Sequence, residues 1–312
     1  MGDWEDKVVQ DVKNGVPRGL IREVLSASTN KYGGCEGITI VYPDYPGWLK
    51  KTDPNRQEGI SDSVKAYRRQ RDKFIEDITK VLDGIKFYDA GAALMDPLCE
   101  LSKELYIRPY TLFHAPAKNA VTGALGASGI GDQEATLQGT STGMPNYKSD
   151  GSLGSGGGLG KGTDTAIDVS PEMWSEDKDL GAGTALDDVV FHEMVHAFRL
   201  MSGTFYRLPV NQGYDHEEEF LAIVLTNIYL SEKNAPALRA RHQLPNTALL
   251  EPEKFLDNVQ KTDLTPIVLI ERFRLSNPKL YRNFADITKK SAKFNPVREF
   301  DERRKAGRIK FK

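Results

Sequence analysis

The chain has 312 residues, enough for one large or two ordinary domains with a sizeable hydrophobic core. Its formal net charge is −2, from 42 basic and 44 acidic residues, so it lacks the strongly basic composition of a nucleic-acid-binding protein. No apolar run reaches the roughly 20 residues of a membrane span, and the amino terminus lacks the basic and apolar regions of a cleavable signal peptide.

The chain contains only two cysteines, Cys35 and Cys99, far apart in sequence. Two cysteines exclude a disulfide framework and a four-cysteine zinc site. A single bridge between them is feasible, but nothing in the sequence supports it.

Short apolar runs separated by turn-forming residues make up residues 1–60, and one of them, Ile38–Tyr42, is predicted to be a strand. We predict an N-terminal extension or small subdomain over residues 1–60 and the main domain over residues 61–312. The main domain begins with a predicted helix over 61–82. Ser61 is its N-cap candidate and Gly84 ends its pattern.

A second helix is predicted over Ala90–Leu105, broken or restarted at Pro97, followed by a strand at Leu105–Ile107. Glycine and serine dominate residues 123–162, which predicts a loop. The densest part, Gly151–Gly162, is a candidate lid for a cleft.

The alternating, β-branched run Thr165–Val169 predicts a further strand. The next helix is predicted to begin with Thr184 as N-cap and Asp187 three residues later, and to stop at Gly203. Another helix is predicted from Glu217 to about Ser231. Residues 251–290 suggest two more helices. The basic residues after Arg298 are interpreted as a solvated end of the chain, because no aromatic stacking platform accompanies them.

The chemical signal of the sequence is His-Glu-Met-Val-His, which begins at His192. Histidines at positions i and i+4 lie one turn apart on one helix face, so His192 and His196 can both bind one metal ion. Glu193 is rotated about 100° from His192, where it can reach a metal-bound water without binding the metal. The pattern predicts a catalytic Zn2+ site with Glu193 as general base. Ser202 stands where the metzincin pattern requires a third histidine, which argues against that clan.

Three glutamates open the following helix, an arrangement that resembles the gluzincins, whose third ligand is a glutamate on a second helix. In that clan a small residue commonly lies three positions after the ligand. The resemblance therefore implies Glu219, followed by Ala222, as the third metal ligand, with Glu218 as second candidate. Asp215 or His216 is the alternative if the metal is reached from the loop.

Over roughly residues 70–300 the chain also resembles the secreted bacterial zinc metallopeptidase effectors of the NleD type, which include toxin domains of type VI secretion proteins. The segments that carry this resemblance are Leu82–Ile85 through Gly91 to Leu105–Ile107, Gly162–Ile167, His192–Ala197, the helix Glu219–Asn227 and Phe294–Arg298. The metal motif within His192–Ala197 is specific on its own, and the other segments support the resemblance only when they are taken together.

We expect an α+β, zincin-like fold that is rich in helices, with a small mixed or antiparallel sheet above the metal-binding helix. The sheet should use Thr165–Val169, and its edge strand should bind an extended substrate. Members of the resembled family also carry a residue that stabilises the oxyanion opposite the metal. The candidates here are Tyr281, His216 and Tyr214.

The resemblance implies a virulence effector or toxin that is delivered, without a cleavable signal peptide, into host or competitor cells by a specialised secretion system. The expected partners are a protein or peptide substrate in the target cell and a secretion apparatus or chaperone; neither nucleic acid nor a membrane span is expected. The predicted reaction is endopeptidase cleavage. Two alternatives remain open: a zinc amidase acting on cell-wall peptide, and a non-catalytic protein with a structural metal.

Overall fold

The computed structural model describes residues 29–42, 57–110, 120–125, 160, 162–174, 181–206, 209–210, 213–242, 247–257 and 264–309. These residues form a helix-rich α+β fold around a five-stranded sheet. The strands are β1 (Thr29–Lys31), β2 (Ile38–Val41), β3 (Leu105–Arg108), β4 (Ala120–Ala124) and β5 (Thr165–Val169). The α-helices are α1 (Gln57–Lys86), α2 (Asp89–Cys99), α3 (Leu186–Met201), α4 (Glu217–Glu232), α5 (Pro266–Ser276), α6 (Pro278–Asp286) and α7 (Pro296–Lys305); Pro171–Trp174 and Pro252–Asp257 are 3-10 helices.

The sheet is mixed, with strand order β1-β2-β3-β5-β4. The central strands β2, β3 and β5 run parallel, while β1 and β4 pair antiparallel to their neighbours. Every residue of β5 is buried, as expected for a strand covered on both faces. The predicted small mixed sheet containing Thr165–Val169 is confirmed; the zincin-like character of the fold stays a prediction.

Strand β4, which the sequence did not predict, is the last strand in the order of the sheet and contacts α3. Gly123 and Ala124 belong to it, so the predicted loop over 123–162 begins too early. The strand forms because the backbone of Ala120–Ala124 pairs residue by residue with Thr165–Val169, although its own side chains are small. Helix α3 packs against both β4 and β5.

Two strands lie within the predicted N-terminal extension, since β1 and β2 extend the sheet beside β3. The division at residue 60 stays a prediction. The single bridge that the sequence left open is present: Cys35 and Cys99 form a disulfide that ties the turn before β2 to the end of α2, with 5.3 Å between the Cα atoms.

Helix α1 is longer than predicted at both ends, because Ser61 lies inside it and Gly84 does not stop it. A glycine inside a helix costs about 1 kcal/mol, and the complete burial of Leu82 and Ile85 on either side of Gly84 offsets this cost. Helix α2 ends earlier than predicted, at Cys99. Pro97 lies within it. Because proline has no N–H, it cannot donate to the carbonyl of Ala93, which instead accepts a hydrogen bond from Asn283 Nδ2 at 3.2 Å.

The two predicted helices of residues 251–290 are present as α5 and α6. Helix α7 was not predicted; the described basic residues after Arg298 are exposed or half-buried, as expected, and the first of them belong to this helix. Asn295 caps α7 by accepting from Arg298 N at 2.9 Å, and Val297 and Phe300 are completely buried. Among the described residues, no helix combines the length and apolar character that crossing a bilayer requires.

Candidate metal centre

Helix α3 begins one residue later than predicted. Ala185 is the N-cap, and its backbone N–H donates to Asp188 Oδ2 at 3.3 Å, while Thr184 Oγ1 donates to Gly181 O at 2.7 Å. The helix ends at Met201, as predicted from Gly203, whose φ is +70°. A Cβ on Gly203 would lie 2.1 Å from Gly160 O, so this close approach requires glycine.

The predicted lid segment, Gly151–Gly162, lies outside the described residues except for Gly160 and Gly162. These two glycines pack on the C-terminal end of α3, where Gly160 N donates to Gly203 O at 2.8 Å. The carboxyl end of the glycine-rich segment is therefore anchored to the helix that carries the histidines.

Helix α4 packs against α3 in the core, and the ring of Phe191 on α3 stacks on that of Tyr229 on α4 with 4.6 Å between the centroids. His216 is the N-cap of α4, since its Nδ1 accepts from Glu219 N at 3.4 Å. This contact gives His216, a predicted catalytic candidate, a role in starting the helix.

The three glutamates at the start of α4 are all buried, and each has a different partner. Glu217 pairs with Arg272 at 3.0 Å, and burial raises the pKa of Glu217 to about 7. Glu218, the second candidate for the third ligand, accepts two hydrogen bonds from Arg199, from Nε and Nη2, each at 2.7 Å. Arg199 thus turns Glu218 away from the histidines and leaves Glu219 to face them.

His192, His196 and Glu219 converge in one cluster. Glu219 Oε2 lies 3.1 Å from His192 Nε2, Glu219 Oε1 lies 3.4 Å from His196 Nε2, and the two Nε2 atoms are 3.2 Å apart. Burial lowers the pKa of His192, which favours the neutral imidazole that a metal requires. Burial alone would raise the pKa of Glu219, but its contacts with both histidines outweigh this and hold the pKa well below its usual range.

The three side chains fit a divalent metal ion. Their ligand atoms lie within 4.8 Å of one another, and two imidazole nitrogens with one carboxylate oxygen are a donor set typical of zinc and similar ions. Within the described part of the chain, the buried Nδ1 atoms of His192 and His196 have no hydrogen-bond partner. Both rings therefore make their polar contacts through Nε2, and these are the atoms that a cation would bind.

Glu193, the predicted general base, lies beside the cluster and is held by the edge strand. Thr122 Oγ1 on β4 donates to Glu193 Oε2 at 2.6 Å and is 3.1 Å from the Glu193 carbonyl oxygen. Sequence reasoning missed Thr122 because it did not predict β4.

A third histidine, His242, contacts the cluster, and sequence reasoning missed this contact as well. His242 Nε2 lies 3.4 Å from Glu219 Oε2, and His242 Nδ1 lies 2.6 Å from Asp215 Oδ2. Asp215, the loop alternative for metal binding, thus contacts His242. His242 stands alone in the sequence without a motif, so only the folding of its segment back onto α4 reveals it.

The tyrosine candidates for oxyanion stabilisation have other partners. Tyr281 on α6 donates to Asp301 Oδ1 at 3.2 Å and packs its ring against Phe273 and Phe300. Tyr214 packs its ring edge against Phe220, and burial raises its pKa to about 12. These contacts are with residues other than His192, His196 and Glu219.

A mixed sheet packed on a His-Glu-x-x-His helix, with a glutamate supplied by a second helix, defines the class: an α+β protein with a cluster that could hold a metal ion, next to the Glu193 carboxylate. The family model of peptidase family M91, described as effector protein, matches residues 62–246, which is more than half of the chain. The chain belongs to this family, and the resemblance to NleD-type effector metallopeptidases is confirmed. No curated protein and no solved structure matches it.

Proposed function

We propose that this protein is a zinc-dependent endopeptidase that hydrolyses peptide bonds in a protein of the cell that receives it. The observation that carries the proposal is the convergence of His192, His196 and Glu219 within 4.8 Å, next to Glu193. Membership of a peptidase family supports the hydrolase class. The donor set of two imidazoles and a carboxylate supports zinc.

The side chains divide the chemistry between them. His192, His196 and Glu219 would hold the zinc ion, which when bound polarises a carbonyl and lowers the pKa of water. Glu193 accepts the proton of the attacking water and later donates it to the leaving amine. Thr122 holds the Glu193 carboxylate in one orientation through its hydrogen bond of 2.6 Å.

An extended substrate would lie along β4. This strand ends the sheet in the described part of the chain, and it carries Thr122, which contacts Glu193. Val121, the preceding residue, is 38% exposed, whereas every residue of β5 is buried. A peptide that adds a strand to this edge therefore passes next to the general base.

The effector description of the family supports delivery into another cell, and we propose delivery into a host or competitor cell by a specialised secretion system. The partners that this route implies are the substrate protein and a component of the secretion apparatus or a chaperone.

The structural-metal alternative is weakened by the disulfide. Structural zinc sites are usually closed by four protein ligands, often cysteines, and here Cys35 and Cys99 are bonded to each other. The amidase alternative uses the same cluster, and the peptidase family match favours cleavage of protein over cell-wall peptide.

The test compares new protein amino termini in cells that receive wild type, Glu193→Gln or the control Glu76→Gln, an exposed residue on α1. We expect the same new termini with wild type and Glu76→Gln and none with Glu193→Gln. Purified Glu193→Gln should retain zinc at the wild-type ratio, measured by mass spectrometry, while turnover falls by about 100- to 10,000-fold.

New termini that persist with Glu193→Gln would contradict the mechanism. Zinc that remains bound after replacement of either His192 or His196 by alanine would contradict the metal site. Cleavage of cell-wall peptide without any new protein terminus would establish the amidase instead.

A further inference from the structure

Arg239 lies beside the metal-binding cluster, in the segment that follows α4. Its Nη2 atom donates to His242 O at 2.8 Å, and its Nε atom donates to Arg241 O at 2.9 Å. The side chain of His242 in turn contacts the cluster, with 3.4 Å between His242 Nε2 and Glu219 Oε2. A single residue therefore separates the guanidinium of Arg239 from the carboxylate of the predicted third ligand.

Arg239 is held against both helices that carry the cluster. The buried side chain of Asn227 on α4 bonds to both backbone polar groups of Arg239, donating to its carbonyl and accepting from its N–H, each at 2.8 Å. On the other side, a Cβ on Gly183, just before α3, would lie 3.6 Å from Arg239 Cδ. This support fixes the arginine in place, as a side chain that recognises a substrate requires.

The positive charge of Arg239 has no carboxylate partner within the described part of the chain. The side chain is half-buried, its hydrogen bonds to described residues go to two backbone carbonyls, and Nη1 makes none with them. Burial lowers the pKa of Arg239, and the charges of Glu219 and Glu193 act in the opposite direction. A guanidinium that is partly removed from water without a countercharge costs free energy, and a bound carboxylate would offset that cost.

A divalent ion in the site would change the charge balance around Arg239. Without the ion, Glu219 and Glu193 place two negative charges near the guanidinium. The two positive charges of the ion would compensate both, so that the charge of Arg239 is left over. A guanidinium in this situation attracts carboxylates, which it binds through two parallel hydrogen bonds.

We propose that Arg239 is a specificity-determining residue that binds the carboxylate of a glutamate or aspartate close to the scissile bond of the substrate. The proposal rests on the proposed peptidase function and gives it a substrate class: peptides with an acidic residue near the bond that is cleaved. A site that hydrogen-bonds a charged group discriminates strongly against an uncharged isostere, because the isostere leaves the guanidinium without a countercharge.

The experiment begins with the cleavage sites found in the comparison of amino termini. We expect a glutamate or aspartate within about three residues of each cleaved bond, which is ~10 Å of extended chain. Two peptides are then made for one site, the natural acidic peptide and its isostere with glutamine for glutamate or asparagine for aspartate. Zinc-loaded wild type should cleave the amide peptide with a kcat/KM about 10- to 100-fold lower.

The ratio of the two kcat/KM values is then measured in three variants of the full chain. Arg239→Gln should bring the ratio to about one, because the countercharge for the acidic peptide is gone. Arg239→Lys keeps the charge and loses the paired donors, so its ratio should lie between those of Arg239→Gln and wild type. The matched control Arg241→Gln removes a positive charge from an exposed side chain of the same segment and should keep the wild-type ratio.

The ratio separates a substrate contact from a structural role. A variant that merely disturbs the segment slows the cleavage of both peptides alike and leaves the ratio unchanged. Circular dichroism shows which variants are folded, and Arg239→Lys carries the test if Arg239→Gln is not.

Peptide binding gives a readout that does not depend on turnover. Fluorescence anisotropy measures the binding of both labelled peptides to zinc-loaded Glu193→Gln, which should not cleave them. The acidic peptide should bind about 10-fold more tightly than the amide peptide. The difference should disappear when Arg239→Gln is added to the same protein and persist when Arg241→Gln is added.

Other outcomes overturn the role of Arg239. Equal kcat/KM values for the two peptides in wild type, or an unchanged ratio in Arg239→Gln, would make Arg239 a structural residue. Cleavage sites without an acidic residue near the cleaved bond would overturn the substrate class, although an inactive Glu193→Gln would still support the peptidase. A zinc-loaded wild type that cleaves no protein would overturn the proposed function and this inference with it.

Discussion

Thr122 on the edge strand donates a hydrogen bond of 2.6 Å to the Glu193 carboxylate on α3. Replacement by the isosteric valine removes this donor while preserving side-chain volume. Hydrogen bonds to charged groups contribute about 1.5–3 kcal/mol, so Thr122→Val should lower kcat roughly 10-fold or more. Steady-state kinetics measures the effect.

Thr122→Ser is the matched control, because it retains the hydroxyl and removes only a methyl group. It should remain within about threefold of wild type, since the donor that orients Glu193 is still present. A serine variant as slow as the valine variant would show that packing of the methyl group, and not the hydrogen bond, supports activity.

Glu218 and Arg199 form an ion pair with side chains that are 0% and 1% exposed. Glu218→Gln leaves the buried guanidinium without its countercharge, and the free energy of unfolding should fall by about 3–5 kcal/mol. Urea unfolding measures this loss. The zinc ratio of the folded variant should equal that of wild type, because Glu218 faces Arg199; a variant that is stable but has lost zinc would make Glu218 the third ligand.

Removal of the metal should destabilise the protein. The unfolded chain does not bring His192, His196 and Glu219 together, so an ion bound to the folded state stabilises it by about 4 kcal/mol when its free concentration is 1,000 times Kd. Chelation should lower the Tm of wild type and Glu193→Gln equally. His192→Ala should show no such change, and an equal change in that variant would place the stabilising metal elsewhere.

Tyr281→Phe tests the tyrosine that the sequence suggested for oxyanion stabilisation. Its hydroxyl donates to Asp301 in the structure, so the variant should lose about 1 kcal/mol of stability and keep the kcat of wild type. Thermal unfolding and kinetics are measured on the same preparation. A large loss of kcat at unchanged Tm would return Tyr281 to the active site.

The parts of the site that could be predicted depend on local spacing. His192 and His196 are one helical turn apart, and this spacing determines their common face wherever the helix lies. Thr165–Val169 was recognised because β-branched residues alternate along it, and α4 because it is strongly apolar after its three glutamates. Glu219 was chosen over Glu218 from a resemblance, and this choice stays a prediction; in the structure the Glu218 carboxylate contacts Arg199.

The remaining features depend on contacts between distant parts of the chain. Thr122 and Glu193 are 71 residues apart, and Asp215 and His242 are 27 apart, so no periodicity connects them. Strand β4 is composed largely of small residues, and it is a strand because β5 offers it a partner. Pro97 stays inside α2 because Asn283 satisfies the carbonyl that the proline leaves free.

The Cys35–Cys99 bridge closes a loop with a sequence separation of 64 residues, and that loop contains all of α1. Chain-entropy arguments value such a closure at about 4 kcal/mol, so Cys35→Ser should lower the urea midpoint in oxidising buffer and have little effect with dithiothreitol present. Cytosolic thiols are kept reduced. An effector that acts in a cytosol would thus exchange a covalently closed segment from Cys35 to Cys99, suited to an oxidising exterior, for one held only by its packing and strand pairing.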